Sequence, residues 1–301
     1  MSNNYKIWDL IFFSIMGVFG GLLGALFCSV NYRMGKWRKL TLKTDKLKFL
    51  ETIFYVAVTA ILMYWAPMVV SNECVAKPAL PQDPEDPNYE DILSLQSKFQ
   101  PYLCPEGTYS PLATALFNPL GSVFKVLMSD LFTISYASLG IYLAIWYPMT
   151  IFCYGTNVPA GLFVSGILIG CGYGRLFALF VKDYIDSEVH PSAYAVVGAA
   201  SILSGYARHT FSLAIIMMES TNTINLFIPV TFAVMIAYLV GGIFTRSIYI
   251  NAVRTKNIPL LIEHVPEASA YYQAEDIMTK AVVTLSFRPD VAEVGKALRE
   301  N

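Results

Sequence analysis

Residues Val158-Pro159-Ala160-Gly161-Leu162-Phe163-Val164-Ser165-Gly166 place a proline and two glycines inside an apolar run that continues through Ile167-Leu168-Ile169-Gly170-Cys171-Gly172-Tyr173-Gly174-Arg175. In hydrocarbon no water satisfies an open backbone amide, so such a break is tolerated only where protein or a watery cavity surrounds it. The break therefore reads as a binding site inside a membrane protein. A helix starting near Phe163 would aim free N–H groups and the positive end of its dipole into the break, and both favour an anion. Taken alone, the same residues also fit a glycine-rich packing face between helices.

The rest of the chain fits a membrane setting. Of 301 residues, 55% are hydrophobic and only 14% charged, and the mean hydropathy is +0.50, whereas an ordinary soluble domain is about a quarter charged. A net charge of −1 gives no global attraction to nucleic acid, and no such partner is expected. The charges are sorted along the chain. Arg33, Lys36, Arg38, Lys39, Lys43, Lys46 and Lys48 face a lone Asp45; between Ser71 and Thr108 the balance reverses, with Glu73, Asp83, Glu85, Asp86, Glu90, Asp91 and Glu106 against Lys77 and Lys98. The positive-inside rule puts residues 31–48 in the cytoplasm and, one apolar crossing later, residues 71–108 outside or in an organelle lumen. Cys74 and Cys104 bracket that acidic loop on the face where oxidation is permitted, so a disulfide closing it is expected. Cys28, Cys153 and Cys171 lie in apolar segments as small hydrophobes.

Membrane helices are expected over Ile7–Val30, with small residues Gly17, Gly20, Gly21 and Gly24 for close packing, and over Phe49–Val70. Residues 71–108, rich in proline and acids, read as irregular. Pro111–Met128 and Leu131–Tyr154 read as two further helical segments, followed by Phe163–Val181, Ala193–Gly205, Thr210–Ser220, Ile224–Phe244 and a short Arg246–Arg254. Several are shorter than the roughly 20 residues a span needs, a pattern of tilted and broken helices typical of transporters. Arg175 and Arg208 read as structural, pairing with carbonyls or helix C-termini, and Glu219 as a cap or interface residue. His190, His209 and His264 share no metal-ligand spacing, and no hydrolytic triad, nucleotide loop or carboxylate pair is present, so neither an enzyme nor a metal site is expected.

Several of these segments, in order, resemble the CLC family of chloride channels and proton-coupled chloride exchangers. Gly161-Leu162-Phe163-Val164 resembles the start of the family's G-x-F-x-P filter element, with Ser165 where the family usually has proline. Ile169, Gly170, Gly174 and Arg175 match I-G-x-x-x-G-R; Ala207–Thr221 and Ser247-Ile248-Tyr249 follow in the family's order; and Phe99–Leu116, with Cys104-Pro105-Glu106-Gly107-Thr108-Tyr109, is similar to the lysosomal-exchanger and plant branches. The resemblance implies an all-α polytopic fold over residues 1–256, the C-terminal half of a CLC transmembrane domain. The other filter elements, G-S-G-I-P and G-[KR]-E-G-P, do not occur, so the chain is expected to be a fragment or truncated product.

Further implications follow from the same resemblance. The anion site is Gly161, Leu162, Phe163 and Tyr249, with Ser165 and Gly166 supporting the turn. The function is that of a voltage-gated-type chloride channel or chloride/proton antiporter of an endosomal, lysosomal or vacuolar membrane; the alternative is a non-transporting truncated subunit that associates with full-length partners. Membrane lipid surrounds it, and helices within 211–242 form a homodimer interface or bind a full-length subunit. Chloride is the substrate and no cofactor is needed. Residues 251–301 are cytoplasmic; within them, 257–301 are a linker and the opening of a CBS domain, an incomplete α/β segment in which Asp290 caps a helix. An adenine nucleotide would bind only if complete CBS domains were present.

Overall fold

The computed structural model describes residues 5–69, 73–79, 89–221, 224–259, 271–278, 284 and 287–300. It divides into two units, Met1–Ile258 and Pro259–Asn301. In the first, helices α1 (Asp9–Thr41) and α2 (Asp45–Val69) are followed by strand β1 (Val75–Ala76), helix α3 (Tyr89–Gln96) and strand β2 (Thr108–Tyr109), then α4 (Pro111–Phe117), α5 (Leu120–Leu127) and α6 (Tyr136–Cys153). Then come α7 (Phe163–Tyr184), α8 (Pro191–Ala207), α9 (Phe211–Thr221), a 3-10 turn (Ile224–Leu226), α10 (Phe227–Phe244) and α11 (Ile248–Lys256). The second unit contains α12 (Ala274–Ile277) and α13 (Val291–Glu300). Five helical stretches, Asp9–Thr41, Asp45–Val69, Tyr136–Cys153, Phe163–Tyr184 and Ile224–Lys256, are long and apolar enough to cross a membrane.

Helix α8 is the centre of the first unit. Every residue from Ser192 to Ala207 is buried, between α7, α1 and α10. Its small residues set how near those neighbours come. A Cβ at Gly174 would lie 2.1 Å from the Tyr194 carbonyl oxygen, and one at Gly24 would lie 2.2 Å from the Gly205 backbone, so these helices meet backbone to backbone. Such contact replaces the hydrophobic drive that lipid cannot supply between helices. Helix α2 buries only Ala66 and Pro67, and its exposed apolar side chains, among them Phe49, Ile53, Phe54, Val56 and Ile61, are free to face lipid.

Boundaries differ from the periodicity in instructive places. Helix α1 runs past Val30 to Thr41, because Arg33, Lys36, Arg38 and Lys39 are good helix formers and continue the ladder beyond the apolar stretch. The expected single helix over Pro111–Met128 is two, parted at Asn118-Pro119, where Pro119 cannot carry on the preceding turn. Residues 131–135 are not helical, and Ser135 caps α6 through its hydroxyl, which accepts from the Ser138 amide at 3.2 Å. The acidic loop, expected to be irregular, contains α3 and a two-residue antiparallel pairing, Val75 with Tyr109 and Ala76 with Thr108. Cys74 and Cys104 are joined by a disulfide across that pairing, their Cα atoms 5.7 Å apart.

Polar side chains tie the two ends of the first unit. At the acidic end, Glu73 accepts from the Ser135 amide at 2.9 Å, the Ser135 hydroxyl at 2.8 Å and the Ser138 hydroxyl. The Tyr194 hydroxyl donates to Asp9 and the Tyr136 hydroxyl to Asp183, each at 2.8 Å. Lys6 bridges Asp186 and Glu188 at 2.8 and 2.9 Å. At the basic end, Arg38 pairs with Glu51 at 2.7 Å, both side chains nearly buried. The starts of α1, α6 and α8 and the end of α7 are thus linked at one end, and the end of α1 and start of α2 at the other, as alternate crossings require.

In the second unit Asp290 Oδ1 accepts from the Val291 amide at 2.8 Å at the start of α13. Val282-Val283-Thr284-Leu285, the β-branched stretch that would supply the strand of the expected α/β segment, lies outside the described residues except for Thr284.

Candidate anion site

The break is held from both sides by groups that close helix ends. Helix α6 stops because Tyr154 is extended and Gly155 takes φ +86°, a left-handed conformation that glycine adopts without strain. The carbonyls left at that end are then collected from α1. Asn31 Nδ2 donates to Ile151 O at 3.0 Å and Tyr154 O at 2.9 Å, and Arg38 donates to Tyr154 O at 2.9 Å and to Phe152 O. Residues 157–161 are irregular and mostly exposed, and α7 begins at Phe163, the start expected from sequence.

The α7 terminus carries no side-chain cap. Its first intrahelical bond to a described partner is the Gly166 amide to Leu162 O at 3.0 Å, so the amides at the head of the first turn have no partner within the helix. Ser165 does not cap them: its hydroxyl turns back to Leu162 O at 3.1 Å and Gly161 O at 3.3 Å, using its single proton on carbonyls. Leu162 is buried, whereas Gly161 and Phe163 are exposed. The twenty-two-residue helix therefore presents amide donors and a positive dipole end, with no cation of its own in the first turn.

Tyr249 stands near the start of α11, half exposed, with its ring 5.8 Å from His209. It does not bond to the turn directly. A tyrosine given no role from sequence lies at the turn: the Tyr206 hydroxyl donates to Leu162 O at 2.8 Å. No local sequence pattern marks Tyr206 as a neighbour of the break.

Behind the break lies a cavity of about 720 Å³, walled by residues 154–160 on one side and by Arg38, Lys39, Lys48 and Lys256, with Glu51, on the other. Its excess of cations makes it attractive to small anions over a distance, while Arg38 itself is neutralised by Glu51 and by carbonyls.

The intramembrane arginines are structural. Arg175, fully buried, gives Nε to Leu127 O at 2.5 Å, Nη1 to Phe132 O at 2.7 Å and Nη2 to Ser129 O, closing the end of α5. Arg208 ends α8 in a left-handed conformation, φ 62°, and reaches Tyr238 O and Thr245 O at the end of α10. Glu219 is exposed on α9. Among the described residues no group of three or more His, Cys, Asp or Glu could hold a metal.

The fold is that of a polytopic helical membrane protein with a broken helix pair and an uncapped helix start inside it. The profile of the voltage-gated chloride channel family matches residues 1–242, and the chain belongs to that family. It is 30% identical to chloride channel protein C of Dictyostelium discoideum over 96% of this chain and 37% of that protein. Against chloride channel protein CLC-d of Arabidopsis thaliana the identity is 32%, over 99% and 38%. The human H(+)/Cl(-) exchange transporter 7 is 29% identical, over 98% and 35%. The chain thus spans between a third and two fifths of these relatives. A crystal structure of a eukaryotic CLC transporter superposes with a TM-score of 0.56 at 24% identity, covering 84% of this chain and 36% of that one, which establishes the shared fold.

Proposed function

We propose that this chain supplies one part of the anion path of a CLC chloride transporter, working as a channel or as a chloride/proton antiporter. The observation that carries the reading is the uncapped start of α7 at Leu162–Phe163, directly after a segment, residues 154–160, that walls a cation-rich cavity. Chloride needs a partly dehydrated shell of N–H and O–H donors without a full positive charge, which would hold it too tightly to release. The amides of Gly161, Leu162 and Phe163 and the Tyr249 hydroxyl are the donors assigned, with Ser165 and Gly166 supporting the turn. No cofactor takes part; chloride is cargo.

The basic end is assigned to the cytoplasm and the disulfide-closed acidic end to the lumen of an endosomal, lysosomal or vacuolar compartment, in keeping with the charge asymmetry and the oxidised Cys74–Cys104 pair. The exposed apolar face of α9 and α10, with Ile215, Ile216, Ile228, Phe232, Met235 and Leu239, is assigned to a homodimer or to a full-length CLC subunit. That face also supports the second reading, a subunit that associates without transporting. Residues 257–301 are assigned to a linker and the opening of a CBS domain, a nucleotide site only within complete CBS domains.

Chloride efflux from liposomes tests the reading. The full-length protein should carry chloride and this chain alone should not, while still inserting. Robust flux from the isolated chain would refute the assignment of one part of the path to it, and no flux from either would favour the second reading.

A further inference from the structure

We infer that Tyr206 is a positioning residue for the anion site: its hydroxyl holds the Leu162 carbonyl in helix α8's direction and thereby fixes where the Phe163 amide points. The inference rests on the anion-site reading above and adds a residue to it.

The argument starts from the peptide unit. The Leu162–Phe163 peptide is planar and trans, so its C=O and its N–H point in opposite directions and turn together. Whatever holds Leu162 O also aims the Phe163 amide. Tyr206 is buried, its ring stacked on Phe27 with centroids 4.9 Å apart and planes 23° off parallel, so the hydroxyl is delivered from a fixed ring. That hydroxyl has one proton, and the proton goes to Leu162 O at 2.8 Å.

A buried tyrosine hydroxyl needs some acceptor, and mere satisfaction would explain one bond. Two further observations go beyond satisfaction. A Cβ at Gly166 would sit 1.9 Å from the Tyr206 hydroxyl, so the first turn of α7 lacks a side chain at the very place the hydroxyl occupies. The Ser165 hydroxyl also reaches the same oxygen, at 3.1 Å, while lying 3.3 Å from Gly161 O. With the Gly166 amide, three donors fix one carbonyl at the mouth of the break. Serine at 165 leaves its own φ free, whereas a ring there would lock it; the paired hydroxyls supply the restraint from outside the turn. They also draw the carbonyl's negative end away from the amides an anion would use.

Calorimetric titration with chloride on the full-length protein, wild type beside Tyr206→Phe, tests this. The substitution deletes one oxygen and keeps the stacked ring, so the fold is retained. A loss of chloride affinity of about three- to tenfold is expected for one neutral hydrogen bond acting through the amide. The ratio of chloride to nitrate affinity should shift from the wild-type value, because the aim of the amide that contacts the anion changes. Adding Ser165→Pro should restore affinity, because a proline three residues into a helix removes no helical hydrogen bond and locks φ at the same turn. Unchanged affinity and unchanged anion ratio in Tyr206→Phe, even with a lowered melting temperature, would make Tyr206 a packing residue and overturn the inference. Tyr249→Phe separates the two levels. If it weakens chloride binding while Tyr206→Phe does not, only the positioning role falls; if neither does, the anion site itself is misplaced and the inference falls with it.

Discussion

Arg175 shows what an intramembrane charge does when it is not a ligand. Each of its three nitrogens donates to a carbonyl, of Leu127, Phe132 and Ser129, and its guanidinium lies 5.3 Å from the Phe132 ring. Arg175→Gln cannot reach all three, and breaking a buried charged network costs about 3–5 kcal/mol. The melting temperature in detergent should fall steeply; a variant as stable as wild type would show that water replaces the bonds. Tyr249→Phe should leave that temperature unchanged, since the residue is half exposed and its hydroxyl makes no hydrogen bond among the described residues. At this scale the sequence was legible where chemistry allowed few choices. An arginine in an apolar run must find carbonyls or acids, and Arg175 and Arg208 found carbonyls. Tyr206 and the Arg38–Glu51 pair were not legible, because a tyrosine among small residues and one arginine in a basic run have partners set only by which helices meet.

Among the elements, the α7–α8 contact is the least forgiving. A Cβ at Gly170 would lie 2.3 Å from Ala199 Cα and 2.7 Å from Gly198 O, and backbone has nowhere to yield. Gly170→Ala should therefore destabilise by at least about 1–3 kcal/mol, the usual cost of overpacking. Gly140→Ala, where a Cβ on α6 meets nothing within 4 Å, should stabilise by up to about 1 kcal/mol through helix propensity alone. Thermal unfolding of the two variants side by side separates close approach from propensity, and equal effects would remove close packing as the cause. Opening the Cys74–Cys104 bridge, whose cysteines are 30 positions apart, should cost about 3–4 kcal/mol on the chain-entropy estimate, read as a lower melting temperature after reduction. Helix cores were legible from apolar runs and the break from its Gly and Pro. Ends were not where charged helix formers carried α1 onward, nor where α3 formed inside an acidic, proline-rich loop whose order depends on the strand pairing and the disulfide.

Across the first unit, charged side chains gather at two ends, one basic around Arg38 and Glu51 and one acidic around Glu73, Asp183 and Asp186. The acidic end should withstand an acid compartment. Hydrogen bonding to Lys6 holds the Asp186 carboxyl below its ordinary value and raises the Lys6 ammonium. A carboxylate depressed in the folded state contributes stability that is present above its unfolded pKa, about 3.9, and is lost as pH falls through the lower folded value. The Asp186 contribution should thus stay constant from pH 7 to about 5 and disappear only below about 4. Melting temperatures of wild type and Asp186→Asn should differ by the same amount at pH 7 and 5 and converge below 4; convergence already at pH 5 would mean that the pair is not formed.

The central claim is that an anion sits at the head of α7, between the Leu162–Phe163 amides and the Tyr249 hydroxyl. Anomalous diffraction from crystals of the full-length protein grown in bromide locates such an ion directly. The account predicts a bromide peak within about 3.5 Å of the Phe163 amide nitrogen and the Tyr249 hydroxyl, the reach of a hydrogen bond to a large anion. Bromide bound elsewhere along the path, with this position empty, would contradict it.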